Sequence, residues 1–289
     1  MWLMGITRSR TEMKKKKVKA VEFLVAQGFC CSPDEARRWI MAGKVVVDNR
    51  RIDRAEELLS EEAGVRIKGM SKYVGKGGYK LEGALSDFGI SVSGNTVLDA
   101  GTSTGGFTDC LLQQGAKRVY SVDAGHGALA GRLRNDDRVV NLERTNISDL
   151  TTEDLEPVPS LATVDLSYLS LKKAIPIVAA LLEPEGQVLG LVKPLFEVPD
   201  PEIRRLGQFK DSETYTDILR HLTQFVETER LGLMGISHSH VRGNKGTVEF
   251  WMWISRDATA RKESIADIEK AVEAAMALPA WDKEEQGQS

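Results

Sequence analysis

The sequence predicts an α/β protein: a seven-stranded, mostly parallel sheet with helices on both faces, preceded by a small α+β module. Apolar runs of strand length alternate with amphipathic stretches from residue 80 onward, which is typical of parallel strands joined by helices. A glycine-rich turn follows the first of these strands, as in sheets that bind a ligand at their carboxyl edge. Residues 1–80 carry a net charge of +8 and the remainder −11, so the two parts differ in character.

The length of 289 residues, 42% of them apolar, suits one large core and one small extra module. We expect a leader at residues 1–13, the basic module at 14–69, a linker at 70–79, the sheet domain at 80–256, and a C-terminal helix and polar tail at 257–289. A basic module on an acidic body suits an attached nucleic-acid reader, because phosphate contacts supply most sequence-independent affinity. A merely solvated basic face is the alternative.

Cysteine usage and hydropathy indicate the cellular compartment in which the protein is found. Cys30 and Cys31 are adjacent and Cys110 stands apart, so the chain has neither zinc-ligand spacing nor a disulfide framework. No apolar run approaches the roughly 20 residues that span a bilayer, and residues 1–13 lack the apolar stretch of a secretion signal. We therefore expect a soluble, cytoplasmic protein that holds no metal.

The basic module begins with two predicted helices. Apolar residues at 18–25 predict a short helix that ends at Gly28. Ser32 is placed to cap a second helix, because Pro33 occupies its first position and Glu35 lies three residues after the cap. Gly43 ends this helix.

A strand at residues 45–49 then enters a tight turn, and residues 65–67 form a closing strand. This order resembles the ribosomal S4-type RNA-binding domain over roughly residues 18–68, although residues 19–21 read Lys-Ala-Val where such domains usually have Arg-x-Asp. The resemblance implies RNA contacts from basic residues, for which we select Lys14, Lys15, Lys16, Lys17, Arg37, Arg38, Lys44, Arg50 and Arg51. The run from Lys14 to Lys17 is equally compatible with a solvated segment.

The sheet domain is expected to alternate strands with helices, with its ligands at the carboxyl ends of the strands. We predict strands at residues 96–100, 118–123, 139–142, 161–165, 187–192, 232–238 and 247–254. We predict helices at residues 80–88, 107–114, 171–182, 212–227 and 262–276.

The glycine-rich turn indicates a nucleotide cofactor. A buried strand runs through Asp99 into Gly101, and Gly105 and Gly106 open the following helix, so the backbone can approach a ligand closely. Asp123 ends the next strand, where an acid accepts hydrogen bonds from both hydroxyls of a ribose. The spacing Gly-x-x-x-Gly-Gly and the acid at Asp99 favour S-adenosylmethionine (SAM) over NAD, because Asp99 suits the amino group of a methionine moiety better than a pyrophosphate. The alternative is a glycine-rich loop that serves only packing and binds no cofactor.

Four separated residues lie in settings suited to catalytic polar groups. Lys80 starts a predicted helix beside its apolar stripe, which is also compatible with a surface lysine. Asp165 ends an apolar strand at the ligand edge, where helix capping is the alternative. Lys193 ends another buried strand, a costly place for a cation without a partner. Glu249 interrupts the last strand and is suited to pair with one of the lysines.

These motifs together resemble the TlyA (haemolysin A) family of RNA methyltransferases, whose catalytic domain is FtsJ-like. The matching segments lie at residues 77–81, 99–109, 143–146, 164–167, 192–197 and 246–250. The resemblance implies a Rossmann-like class I methyltransferase fold and 2′-O-methylation of a ribose in ribosomal RNA. It implies a catalytic tetrad of Lys80, Asp165, Lys193 and Glu249. The SAM-binding residues it implies are Asp99, Gly101, Ser103, Thr104, Gly105, Gly106, Phe107, Asp123, Asn146 and Asp165.

The chemistry agrees with these residues. A ribose hydroxyl is a poor nucleophile near neutral pH, so attack on the sulfonium methyl needs alignment and a proton acceptor. Lys193 is our candidate base, because Lys80 nearby and partial burial disfavour its charged form. Asp165 would orient it, and Lys80 with Glu249 would position the hydroxyl. No metal is needed, because the methyl donor already carries a positive charge.

Three departures from the family pattern bear on the RNA target. Residues 75–76 read Gly-Lys where relatives commonly have Ser-Arg, residues 198–210 contain little glycine, and Thr247 replaces a usual Asn. His238 and His240 flank the same sheet edge, and we interpret them as surface or RNA-contacting residues rather than ligands.

Three other functions stay open. A non-catalytic RNA-binding or ribosome-assembly factor would keep the fold but lose part of the tetrad, and all four residues are present. A haemolysin in the literal sense would need an amphipathic or spanning segment. A methyltransferase of a small hydroxylated metabolite would have little use for the basic module.

Overall fold

A computed structural model describes residues 17–27, 29–30, 32–60, 62–69, 71–167, 169–198, 209, 211–243, 246–260 and 265–279. These residues form two compact units, divided after residue 70. The leader at residues 1–13, the helix end at Gly28, Lys14, Lys15, Lys16 and most of the loop at 198–210 lie outside the described residues. Among the residues described, no helix is both long and apolar enough to cross a membrane.

The first unit contains two helices and five short strands. They are β1 (Lys17–Lys19), α1 (Ala20–Ala26), α2 (Pro33–Met41), β2 (Val45–Val47), β3 (Arg50–Arg51), β4 (Leu58–Ser60) and β5 (Val65–Ile67). Strand β2 pairs antiparallel with β3 and β5, and β1 pairs antiparallel with β4. Leu24, Ile40 and Ile52 are buried in the core of this unit.

Local sequence signals explain these elements. The Ser32 hydroxyl accepts the Glu35 N–H at 3.2 Å, and Pro33 is the first helical residue, so the predicted cap of α2 is confirmed. Asp48 and Asn49 have φ angles of 46° and 65°, as the two central residues of a tight hairpin turn require. Helix α1 starts later than predicted, because Val18 is taken up in the β1–β4 ladder.

The second unit alternates strands and helices as predicted. Its helices are α3 (Lys76–Phe88), α4 (Gly106–Gln113), α5 (Gly131–Arg134), α6 (Leu171–Ala180), α7 (Pro194–Glu197), α8 (Ser212–Thr228) and α9 (Ile265–Ala277). Its strands are β6 (Thr96–Ala100), β7 (Arg118–Asp123), β8 (Val139–Glu143), β9 (Leu161–Val164), β10 (Gln187–Val192), β11 (Gly232–His238) and β12 (Phe250–Ser255). Short 3-10 turns occupy Ile147–Asp149 and Thr152–Asp154.

The seven strands form one sheet in the order β11-β12-β10-β9-β6-β7-β8. All neighbours are parallel except β12, which is antiparallel to both β10 and β11. Side chains of β6 alternate between two cores: Val97 packs with Leu81 and Leu111, whereas Leu98 packs with Ile175. Helices therefore cover both faces, and the predicted fold class is confirmed.

Two predicted boundaries are wrong, and both lie near the sheet edge of interest. Helix α3 begins at Lys76 rather than Lys80, because Gly78 lets the helix pack where a β-carbon would meet the Tyr73 side chain at 2.2 Å. The last strand begins at Phe250, so Glu249 precedes the strand instead of interrupting it. The Thr247 carbonyl accepts the Gly243 N–H at 2.9 Å in a turn, which excludes it from the sheet ladder.

The topology collects polar residues at one edge. Parallel strands β6, β7, β9 and β10 all end there, and antiparallel β12 begins there, since Phe250 pairs with Val192, the last residue of β10. Residues that follow β9 and β10 therefore meet the residue that precedes β12.

Candidate active site

The structure brings all four predicted catalytic residues to the carboxyl edge of the sheet. Asp165 follows β9, Lys193 follows β10 and Glu249 precedes β12, while Lys80 lies in the second turn of α3. The Lys193 ammonium forms an ion pair with Asp165 Oδ1. Lys80 Nζ lies 2.6 Å from Glu249 Oε2. The four residues thus form two ion pairs, one on each side of the edge.

The Lys80–Glu249 pair is the more deeply buried. Its side chains are 10% and 5% exposed, against 18% and 24% for Lys193 and Asp165. Lys80 is therefore not a surface lysine, and the alternative of an ordinary exposed position is wrong. Asp165 does not cap the following helix either, because Ser170 is the N-cap of α6.

Burial raises the pKa of Glu249 above its usual range, and the charge of Lys80 partly offsets that effect. Asp165 also raises the pKa of Glu249 and Lys193 lowers it, so the two ion pairs interact electrostatically. A burial cost on this scale explains why the carboxylate needs a lysine beside it.

The loop between β11 and β12 holds Glu249 in place. The Ser239 N–H donates to the Glu249 carbonyl at 2.9 Å. Gly243 leaves room for the carboxylate, because a β-carbon at Gly243 would lie 2.1 Å from Glu249 Oε1. Arg242 in the same loop donates to the carbonyls of Leu278 and Pro279, just after α9, at 2.7 and 2.8 Å. The end of α9 is therefore tied to the loop that presents Glu249.

Lys76 is a site residue that the sequence reasoning missed. It lies one helical turn before Lys80 on α3, and burial together with the Lys80 charge lowers its pKa, while Glu249 opposes that shift. The signal was the i, i+4 spacing of the two lysines. It was hidden because the predicted helix started at Lys80.

The glycine-rich loop joins β6 to α4 beside these pairs. Gly101 has φ 92° and a β-carbon there would lie 2.5 Å from the Asp165 carbonyl oxygen, so only glycine allows this approach. Gly105 has φ 96° and caps α4, whose first residue is Gly106. The loop backbone is consequently in direct contact with the segment that carries Asp165.

Asp123, at the end of β7, is held by backbone amides. The Ser103 N–H donates to one carboxylate oxygen and the Gly125 N–H to the other, each at 2.7 Å. Ser103 and Thr104 are exposed at the tip of the loop. The carboxylate is therefore fixed next to an accessible stretch of backbone, as a ribose-binding acid would be.

Asp99 and Phe107 lie behind the loop. The fully buried Asp99 carboxylate accepts the Thr108 hydroxyl at 2.6 Å and the Thr163 hydroxyl at 3.1 Å. Burial raises the pKa of Asp99 to about 6. Phe107 is buried against the ring of Trp251. The side chains of Asp99 and Phe107 each connect neighbouring helices and strands, and neither is directed at the accessible part of the sheet edge.

Asn146 is exposed beyond β8, and its Oδ1 accepts the Ser148 N–H at 3.3 Å as the cap of a 3-10 turn. It lies at the same edge of the sheet as Asp123, because β7 and β8 are parallel neighbours. A ligand that spans the loop and β7 would extend toward this residue.

Among the predicted RNA-contacting residues that the structure describes, Lys44 is half-buried, the others are exposed, and several form ion pairs. Arg37 pairs with Asp34 at 2.9 Å, Arg51 pairs with Asp53 at 2.6 Å, and Arg50 forms an ion pair with Glu57. The Lys44 ammonium lies 4.9 Å from the centre of the Trp39 ring. Lys17 and Arg38 are also exposed. Surface pairs of this kind are weak and are readily exchanged for phosphate contacts.

His238 and His240 meet Asp87 of α3 at the β11 end of the unit. The His240 Nε2 lies 2.9 Å from Asp87 Oδ2, and the two imidazole rings are 4.9 Å apart. Burial lowers the pKa of His238, and His240 adds to that shift. From the sequence these histidines were interpreted as surface or RNA-contacting residues rather than ligands, and the structure adds Asp87 of α3 as a neighbour of both.

The sheet is mostly parallel, a glycine-rich loop follows its first strand, and an acid ends the next strand. Two lysine–acid pairs lie at the same edge. Together these features define a Rossmann-like methyltransferase. Comparison with known proteins gives the family. The chain belongs to the FtsJ-like methyltransferase family, whose model matches residues 73–256, and the S4 domain model matches residues 21–65.

Its relatives cover most of the chain. YqxC of Bacillus subtilis, provisionally named an rRNA methyltransferase, is 39% identical over 82% of this chain and 85% of its own length. TlyA of Mycobacterium tuberculosis, named a 16S/23S rRNA (cytidine-2′-O)-methyltransferase, is 35% identical over 88% of this chain and 95% of its own. A solved structure from Streptococcus thermophilus that carries the hemolysin name has a TM-score of 0.68, with 34% identity over 91% of this chain and 96% of that one.

Proposed function

We propose that this protein transfers the methyl group of SAM to a ribose 2′-hydroxyl in ribosomal RNA. The observation that carries the proposal is the pairing of Lys80 with Glu249 and of Lys193 with Asp165 beside the glycine-rich loop. Relatives named as rRNA (cytidine-2′-O)-methyltransferases support the substrate class and favour a cytidine target. An rRNA substrate would place the enzyme in the cytoplasm.

The residues present fit SAM. The φ of Gly101 and its contact with the Asp165 backbone leave a loop that a ligand can approach closely, and Asp123 offers a fixed carboxylate for a ribose diol. Asp99, being fully buried, would support the loop rather than contact the cofactor. The residues that would hold SAM are Gly101, Ser103, Thr104, Gly105, Gly106, Asp123, Asn146 and Asp165. When bound, SAM supplies a methyl group that is activated by the positive charge on sulfur.

The acceptor hydroxyl must be aligned and must lose a proton as it attacks. Lys193 would accept that proton as the neutral amine, and the adjacent Asp165 carboxylate would hold the amine in position by accepting one of its N–H groups. Lys80, kept in place by Glu249, would donate a hydrogen bond to the acceptor oxygen.

The basic first unit would supply affinity for RNA. Arg37, Arg38, Arg50 and Arg51 are exposed on one small S4 domain, and Lys44 is half-buried there. Phosphate contacts from such residues are sensitive to salt. Binding to RNA should therefore weaken as ionic strength rises, and neutralising one of these residues should reduce the salt dependence by about one phosphate contact.

The test is transfer of labelled methyl from SAM to naked rRNA, 30S particles and 50S particles, followed by mapping of the 2′-O-methyl position. Lys193→Ala should abolish transfer and keep SAM binding. Lys117→Ala is the matched control, because Lys117 is an exposed lysine before β7, at the opposite edge of the sheet.

Label in one particle that is lost in Lys193→Ala and kept in Lys117→Ala would establish the reaction and its substrate together. Retained transfer in Lys193→Ala would remove Lys193 from the role of base. SAM binding without label in any RNA would favour a small hydroxylated metabolite or a non-catalytic ribosome-assembly factor.

A further inference from the structure

Three residues outside the catalytic edge form a compact group of metal-ligand type, here called the His-Asp cluster: Asp87, His238 and His240. One ligand atom from each residue lies within 4.8 Å of the others. Asp87 lies in the last turn of α3, His238 ends β11, and His240 follows two residues later. The cluster thus joins elements that are far apart in sequence.

We propose that the His-Asp cluster binds a divalent transition-metal ion of the zinc class. Two imidazole nitrogens and one carboxylate oxygen are the ligands that Zn²⁺ prefers, at about 2.0–2.2 Å. In a tetrahedron with those bond lengths the ligand atoms lie about 3.3 Å apart. The pair His240–Asp87, at 2.9 Å, is already close to this value. The outermost ligand atoms need to close by about 1.5 Å, which rotation of half-exposed side chains can supply.

The surroundings hold the ligands in place. The Ser237 hydroxyl donates to Asp87 Oδ2, which fixes the carboxylate from the β11 side. The His240 ring packs on the α3 backbone, since a β-carbon at Gly83 would lie 2.9 Å from His240 Nδ1. That packing leaves Nε2 directed at Asp87 and available as the ligand atom. Outer contacts of this kind orient metal ligands in proteins.

The cluster also has room for a fourth ligand. Asp87 and His238 line a cavity of about 500 Å³ that extends between β11 and α9, past Trp253 and Lys270. A water molecule can therefore complete a four-coordinate site from that side.

A bound ion would connect the two elements that carry the Lys80–Glu249 pair. Asp87 and Lys80 lie on the same helix, α3, and the residue between the two histidines, Ser239, donates its N–H to the Glu249 carbonyl. Metal binding should consequently raise the thermal stability of the second unit.

The test uses the full-length protein without an affinity tag, stripped of metal by chelator and dialysed. Zinc affinity and stoichiometry are measured by competition with a chromophoric chelator, and Tm is measured with and without Zn²⁺. The wild type should bind one ion at the cluster and gain Tm. Asp87→Asn and the double variant His238→Ala/His240→Ala should each weaken that binding by more than about tenfold and lose the gain in Tm. His221→Ala is the matched control, because His221 is an exposed histidine on α8, outside the cluster.

Equal zinc affinity, stoichiometry and Tm gain in the wild type and the double histidine variant would overturn the proposal. Variants are first compared in EDTA, where each should match the wild-type Tm. If the Tm of a variant in EDTA differs from that of the wild type, the absorption spectrum of the Co²⁺-loaded wild type tests the proposal instead. Visible bands of a tetrahedral nitrogen and oxygen site support the proposal, and thiolate charge-transfer bands or no bands at all overturn it.

Discussion

Removing one partner of the Lys80–Glu249 pair should destabilise the second unit strongly. The two side chains are 10% and 5% exposed, so Glu249→Gln leaves the Lys80 ammonium buried without a counter-charge. Breaking a buried pair in this way costs about 3–5 kcal/mol of unfolding free energy. For a domain of this size each kcal/mol lowers Tm by about 2–4 °C, so a fall of about 6–20 °C is expected.

Replacing both partners should restore stability. In Lys80→Met/Glu249→Met neither charge is left alone, and apolar side chains of similar volume should bring the unfolding free energy within about 1 kcal/mol of the wild type or above it. Measured together with the single variants Lys80→Met and Glu249→Met, the double-mutant cycle should then show a coupling energy of about 3 kcal/mol or more. Methyl transfer should be lost in all three variants, which would separate the proposed catalytic role of the pair from its effect on stability.

The assay is urea unfolding at pH 7, followed through tryptophan fluorescence, to which Trp251 and Trp253 in β12 contribute, with Lys117→Met as the exposed-lysine control. Single variants that each cost less than about 1 kcal/mol, or a double variant whose loss equals the sum of the two, would refute the description of a buried, mutually dependent pair.

Three further substitutions test the site. Gly243→Ala should displace the Glu249 carboxylate, because its β-carbon would lie 2.1 Å from Oε1, and should lower kcat by about 100-fold at unchanged SAM affinity; an unaltered kcat would contradict this packing. Asp123→Ala should weaken SAM binding by about tenfold or more in calorimetry, since hydrogen bonds to a charged group contribute about 1.5–3 kcal/mol each; the same Kd in both proteins would remove Asp123 from the ribose site. Asp99→Asn tests a buried titrating acid. The pKa of Asp99 is raised to about 6, so the native state binds its proton more readily than the unfolded state does. The wild type should therefore gain about 2 kcal/mol of stability relative to Asp99→Asn as pH falls from 7 to 4, and a difference that stays constant with pH would argue against this role.

Much of the catalytic edge could be predicted because its residues follow strands. Asp165 and Lys193 come directly after buried apolar runs, and parallel strands end at a common edge, so their proximity follows from the alternating pattern. The partner of Glu249 was left open between two lysines. Only the structure assigns Lys80 to it, because the helix carrying Lys80 packs from outside the sheet.

The features that the sequence did not predict correctly depend on contacts between residues that are far apart in the sequence. Gly77 and Gly78 read as a loop, yet they lie in the first turn of α3, where contact with Phe107 and Tyr73 requires glycine. The face of β6 on which the Asp99 side chain lies depends on how the strand packs, and in the structure the carboxylate is buried against Thr108 and Thr163. The start of α3 and the side of β6 that carries Asp99 are both set by tertiary packing, which cannot be inferred from a single sequence.

The contact between Arg242 and the end of α9 has a consequence for the order in which the enzyme is completed during synthesis. The residues suited to hold SAM lie between positions 101 and 165. This part of the site therefore emerges from the ribosome before the rest. Glu249 follows later, and the carbonyls of Leu278 and Pro279 that hold its loop do not exist until about thirty residues after it. A nascent chain can therefore form the proposed SAM-binding segment before the loop that carries Glu249 is fixed, and methyl transfer would then be among the last properties that the growing chain gains.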